Sequence, residues 1–131
     1  MAFLLDADVI IEAERGSFDL LAWIERHPEE QMMLASVTVA ELLFAVEGAV
    51  ANRRLRREQH VDRILEVFKV LPYTERTAFE HARIRRELQG KSIAERDQML
   101  AAIALECHAA IATFAPSRFA GISHLQVIKP A

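Results

Sequence analysis

The stretch Phe3-Leu4-Leu5-Asp6-Ala7-Asp8-Val9-Ile10-Ile11-Glu12 decides how this chain is read. Phe3 to Leu5 is a short apolar run without polar alternation, the pattern of a strand buried on both faces. It stops at Asp6. Val9 to Glu14 then reads as a helix closed by Gly16. A buried strand followed at once by a helix opens a crossover unit, and crossovers imply a parallel sheet covered on both faces. In such sheets ligands bind outside the carboxyl ends of the strands, where strand order reverses. Asp6 stands at that end of the first strand.

The same alternation continues outward. Ser17 is positioned to cap a second helix that runs towards Pro28, with Leu20, Leu21 and Ile24 on one face. Met32 to Ala35 reads as a second strand and Thr38 to Val46 as a helix ending near Gly48. Ala51 to Leu65 is a charged amphipathic helix, and Val67 to Leu71 a third strand halted by Pro72. Thr74 caps a helix through Gln89, closed by Gly90. Ala94 to Cys107, rich in Ala, Leu and Met, is a further helix. Ala109 to Thr113 and Leu125 to Ile128 are the last strands. The expectation is an α/β fold, a mostly parallel sheet flanked by helices, in a single domain over residues 1–131.

Composition narrows the class. With 131 residues, 52% hydrophobic and 27% charged, the chain has apolar material for one packed core. No uncharged run approaches the ~20 residues that span a bilayer, so no membrane segment is expected. The first residues lack a basic region and meet an acid at Asp6, so no secretory signal is expected either. One cysteine, Cys107, excludes an internal disulfide and a cysteine-based zinc cluster. The simplest expectation is a cytoplasmic protein. The net charge of -3 argues at first against a nucleic-acid partner. That mean hides an asymmetry: Gly48 to Arg96 holds 12 Lys/Arg against 7 Asp/Glu, and the remainder 4 against 12.

The acids at the ends are therefore the chemical question. Asp6 and Asp8 lie two apart, and in extended geometry their carboxylates share a face. Close carboxylates repel unless a cation sits between them or one is protonated. Asp8 can instead cap the helix from Val9, whereas Asp6 has no helix of its own to cap. Glu41 fits a capping box with Thr38 at the N-cap, or projects towards the crevice of Asp6. Asp97 opens the Ala-rich helix, where the helix dipole alone favours an acid. Each acid thus has a structural reading. The set is more telling, because Asp6, Glu41 and Asp97 all stand at strand ends or adjacent helix starts, places that converge on one rim. Oxygen ligands without nearby His or Cys suit a hard cation, Mg²⁺ or Mn²⁺, able to polarise a phosphodiester and activate water.

Four segments, in order, resemble a known family. Leu5-Asp6-Ala7-Asp8-Val9-Ile10-Ile11 is similar to the opening motif of PIN-domain ribonucleases, especially the VapC toxins of bacterial toxin–antitoxin pairs. Ser36 to Leu42 resembles the second motif, with its glutamate, and Asp97 to Ala104 the third. Thr113 to Phe119, followed by Gly121, Leu125 and Val127, resembles the C-terminal motif. The resemblance implies a PIN-like three-layer fold in which Asp6, Glu41 and Asp97 hold Mg²⁺ (or Mn²⁺) and activate water. It implies endonucleolytic cleavage of RNA that leaves a 5′-phosphate and a 3′-hydroxyl. It also implies a homodimer and a VapB-like antitoxin, which often places an arginine among the carboxylates. One departure stands out. The family usually has Asn or Asp two residues after the threonine of the C-terminal motif, and this chain has Ala115. Either three acids suffice, with Thr38 and Thr113 in support, or Asp8 or Ser117 substitutes, or activity is blunted.

Arg53, Arg54, Arg56 and Arg57 crowd one stretch of helix. They form a solvated face or, with Arg83, Arg85, Arg86 and Lys91, a track for an RNA backbone. Phosphate contacts supply affinity without sequence choice. Two rival functions differ in class. A phosphatase of the HAD type shares Asp6-x-Asp8 but expects Thr or Val where Ile10 stands, and needs a later Asp-Asp pair. A PIN-like RNA- or protein-binding module with impaired catalysis is the other, and Ala115 favours it.

Overall fold

The computed structural model describes all residues from Met1 to Ala131. Its strands are β1 (Ala2–Leu5), β2 (Gln31–Ala35), β3 (Lys69–Leu71), β4 (Ala109–Ala112) and β5 (Val127–Ile128). They form one sheet in the order β3-β2-β1-β4-β5, and every neighbouring pair is parallel. Six α-helices connect them: α1 (Ala7–Arg15), α2 (Leu20–Glu25), α3 (Ser36–Glu47), α4 (Ala51–Val67), α5 (Glu75–Glu87) and α6 (Glu95–Glu106). A short 3-10 helix, Pro116–Phe119, follows β4.

Strand alternation divides the core in two. Phe3, Leu5, Leu34, Ala110 and Ala112 pack with α1 to α4, around Ile10, Trp23, Leu42 and Ile64. Leu4, Met33, Ala35, Ala109 and Ile111 pack on the other side with Ile84, Leu88, Phe119 and the inner face of α6. Both sheet faces are therefore covered, which is why the strands read as uninterrupted apolar runs. Helix α6 is buried along Leu100 to Ala104. Its alanines let it lie close to the alanine-rich β4.

Several local expectations are corrected. Asp6 does cap a helix: α1 begins two residues earlier than its apolar pattern suggests, and Asp6 Oδ1 accepts the Ala7 amide at 2.8 Å. Asp8 lies inside that first turn and caps nothing. Asp19, not Ser17, caps α2 by accepting the Ala22 amide. Ser17 bonds back to Glu12 instead. Helix α3 starts directly from β2 at Ser36, with Ala35 as a side-chain-free cap, so Thr38 and Glu41 form no capping box. Val67 ends α4 and is not part of β3. In each case a tertiary partner or an uninterrupted strand-to-helix passage shifted a boundary that local pattern could not place.

Candidate active site

Strand order reverses between β1 and β4, and the carboxyl ends of these two strands carry Asp6 and Thr113. Helix α3 leaves the same rim after β2. Helix α6 leads into β4 and so begins at that rim, with Asp97 in its first turn. The fold thus brings Asp6 and Asp97 together from positions 91 residues apart. Both are buried, with 1% and 4% of their surface exposed.

What lies between them is a cation from this chain. Arg118, on the 3-10 helix, places Nη2 at 2.7 Å from Asp6 Oδ2 and 2.8 Å from Asp97 Oδ1. Its Nε donates to Asp97 Oδ2 at 3.2 Å, so the fork grips Asp97 with two bonds and bridges to Asp6. Arg118 Cζ also lies 5.1 Å from the ring centroid of the buried Phe119. Burial works against the Arg118 charge, but the hydrogen bonds it donates to Asp97 and the charges of Asp6 and Asp97 outweigh it and raise its pKa above the ordinary value. A second guanidinium, Arg96, reaches Glu41 Oε1 at 3.2 Å and Asp97 Oδ1 at 3.2 Å. Glu41 is the most exposed of the acids and joins the group only through Arg96.

Thr113 Oγ1, fully buried, stands 2.9 Å from Asp6 Oδ2 and 3.0 Å from Asp8 Oδ2. One hydroxyl proton faces two carboxylates. The Phe114 amide also donates to Asp8 Oδ2, while Asp8 Oδ1 is buried and finds no partner. Burial first, then the Asp6 charge, pushes the Asp8 carboxyl above its ordinary range, against the hydrogen bonds of Thr113 and Phe114 and the Arg118 charge.

The other sequence candidates separate. Thr38 is buried in the first turn of α3 with Oγ1 unpartnered. Ser117 is exposed and forms no hydrogen bond to the acids. The Ala115 amide donates to Thr113 Oγ1, and its methyl borders a cavity with Asp8, Glu12 and Lys129. Several of the basic residues meet acids at the surface: Arg54 pairs with Glu47, Arg85 with Glu95, and Arg83 with Glu80 and Glu87. Arg53, Arg56 and Arg57 share a cavity with Arg15 and Glu14, away from the acids. Sequence reasoning missed Arg96 and Arg118. Arg96 is adjacent to Asp97, a signal that was there to read. For Arg118 the only signal was its place just beyond a strand that ends in the switch region.

A hard divalent cation fits this donor set in kind: all candidate ligands are carboxylate oxygens, and the orphaned Asp8 Oδ1 is a free one. As folded, however, no three His, Cys, Asp or Glu side chains close around a common metal position. The Arg118 guanidinium lies between Asp6 and Asp97, and the Arg96 guanidinium between Asp97 and Glu41.

The PIN domain family model matches residues 3–122, nearly the whole chain, including the strand-end acids at the switch point. The chain belongs to the PIN domain family. Its likeness within that family is to the VapC type. It is 32% identical to Toxin FitB of Neisseria gonorrhoeae over 118 residues, 84% of this chain and 85% of that protein. It is 25% identical to Ribonuclease VapC1 of Rickettsia felis over 131 residues, 98% of this chain and 96% of that protein. Among solved structures, VapBC2 from Rickettsia felis bound to a promoter DNA fragment superposes with a TM-score of 0.89 at 18% identity, covering both chains fully. FitAcB from Neisseria gonorrhoeae superposes with a TM-score of 0.80 at 28% identity, covering 98% of this chain and 96% of that one. This membership removes the phosphatase reading. No helix is long and apolar enough to cross a membrane.

Proposed function

We propose that this chain is the toxin of a VapBC-like pair, an Mg²⁺- or Mn²⁺-dependent endoribonuclease that cleaves structured RNA in the cytoplasm. The observation that carries the reading is the pair Asp6 and Asp97, two buried carboxylates close enough at the switch point to share one nitrogen of Arg118. Asp6, Asp97 and Glu41 would hold the ion, with Asp8 supplying the oxygen that Ala115 does not. The ion would supply charge to activate water and to offset charge building on the phosphate. The protein's own part is positional. The Ala7 amide fixes Asp6 Oδ1, and Thr113 Oγ1 holds Asp6 Oδ2 and Asp8 Oδ2 on one point. Water attack at phosphorus with loss of the 3′-oxygen leaves a 5′-phosphate and a 3′-hydroxyl.

The proposed partners are an RNA, a second copy of this chain and a VapB-like antitoxin. Solved relatives in complexes named VapBC and FitAcB support the antitoxin. So does apolar surface beside α3 and α4, where Ile11, Leu42 and Val61 line a cavity and Phe44 is 80% exposed. A second reading, a binding module without catalysis, draws on the two arginines that already neutralise the acids.

The test is incubation of the purified chain with structured RNA in Mg²⁺ or Mn²⁺. Cleavage is expected, with loss in EDTA and in Asp6→Asn. Cleavage that persists in Asp6→Asn would sink the mechanism. No cleavage until Ala115→Asn is introduced would favour the binding module.

A further inference from the structure

The geometry points to Arg118 as a built-in counter-ion that a divalent cation must displace: the site is closed by its own arginine, and metal entry is an exchange. This rests on the proposed metal-dependent reading and concerns how that site is regulated.

The argument is one of shared atoms and of charge. The atoms that Arg118 Nη2 holds are Asp6 Oδ2 and Asp97 Oδ1, at 2.7 and 2.8 Å. An Mg²⁺ ion bridging these carboxylates needs oxygens at about 2.0–2.1 Å in an octahedral arrangement. The guanidinium and the ion cannot both occupy the gap between the same two oxygens. Buried carboxylates without a cation are costly, so the open state that holds neither is sparsely populated. Asp6, Asp8, Glu41 and Asp97 bear four formal negative charges when ionised, and Arg96 and Arg118 bear two positive ones. Once Arg118 leaves, the four acids face Arg96 alone, and a divalent ion brings in two positive charges for the one withdrawn.

Arg118 is also placed to leave. It sits on a four-residue 3-10 helix, and its side chain is 29% exposed, whereas Asp6 and Asp97 are fixed by a helix cap and a buried helix. Of the three side chains, the arginine is the one with a path to solvent. When it swings out, Asp6 Oδ2 keeps the Thr113 hydroxyl, so the carboxylate stays aimed. The consequence is that the apparent metal affinity equals the intrinsic affinity multiplied by the fraction of molecules in which Arg118 has left. A partner's arginine entering the same carboxylates would compete with Arg118 before it competes with metal.

The experiment is Mn²⁺ binding by calorimetry to the full chain, to Arg118→Ala and to Arg118→Lys, with nitrogen-15 NMR of the arginine Nε–H groups during Mg²⁺ titration. Arg118→Ala is expected to bind Mn²⁺ about tenfold tighter or more, the gain for a site whose open state is a tenth of the population or less. Arg118→Lys keeps the charge without the fork and is expected to fall between; it serves if the alanine variant does not fold. In the unsubstituted chain the Arg118 Nε–H signal is expected to move on Mg²⁺ addition, and Asp97→Asn to move it without metal. Equal Mn²⁺ affinity in all three chains, lost in Asp6→Asn, overturns the exchange and leaves the metal reading standing. No Mn²⁺ binding by any of them overturns the metal reading, and the exchange with it.

Discussion

Thr113 Oγ1 lies 2.9 Å from Asp6 Oδ2, although 107 residues separate them. The contact spans the ends of β1 and β4, paired from Ala2 and Ala109 to Leu5 and Ala112. It ties the acid of the first strand to the hydroxyl of the fourth at the switch point.

Because that hydroxyl serves Asp6, Asp8 and the Ala115 amide, Thr113→Val leaves buried polar groups unmatched. The expected loss is about 1–3 kcal/mol of stability, read from the shift of the urea midpoint at pH 7. Thr113→Ser keeps the bonds and is expected to lose less. A loss in Thr113→Ser with none in Thr113→Val would mean that the methyl, not the hydroxyl, carries the effect.

Asp8 supplies a pH dependence. Its folded-state pKa is raised from 3.8 by burial and then by Asp6. Between 3.8 and that raised value the folded chain binds more protons than the unfolded one. Its contribution to stability therefore falls as pH rises through this window. Asp8→Asn is expected to remove that slope, measured as unfolding free energy against pH in EDTA. A slope unchanged in the variant would assign the effect elsewhere.

The close seat of α6 on the sheet predicts intolerance of bulk. Ala102 and Ala104 have no exposed surface. Ala102→Leu is expected to cost about 1–3 kcal/mol by overpacking, seen as a lower thermal midpoint. A neutral result would show slack that this packing does not have.

The cavity lined by Arg15, Arg53, Arg56 and Arg57 gathers four arginines around a single acid, Glu14. If it grips RNA, Arg53→Ala with Arg56→Ala is expected to lower the slope of log affinity against log salt by about 1.4, at ~0.7 per contact on a single strand. Filter binding of the double variant across a salt series reads it. An unchanged slope would return these residues to the solvated helix face.

Much of this was legible in the residues. Phe3-Leu4-Leu5 announced a strand buried on both faces because sheet burial leaves no polar alternation. The acids at strand ends were visible because parallel α/β sheets put every strand's carboxyl end on one rim. Four motifs in register pointed to the PIN family, which the family match shows. The sequence also carried the charge asymmetry that turned a net -3 from an argument against nucleic acid into a question about a metal site. Caps were less legible. Asp6 and Asp19 cap helices that Val9 and Ser17 were expected to open, since a capping bond depends on where the first amide points.

Only the tertiary structure decided what stands among the acids. Arg118 reaches Asp6 across 112 residues and Asp97 across 21, and Arg96 turns to Glu41 on another helix. A long arginine side chain has no periodicity to betray its direction. Its target is set by the path of the 3-10 helix after β4 and by the cost of leaving two carboxylates buried without a cation. Residue order fixed which acids share the rim; packing alone determined that the chain brings its own cation to them.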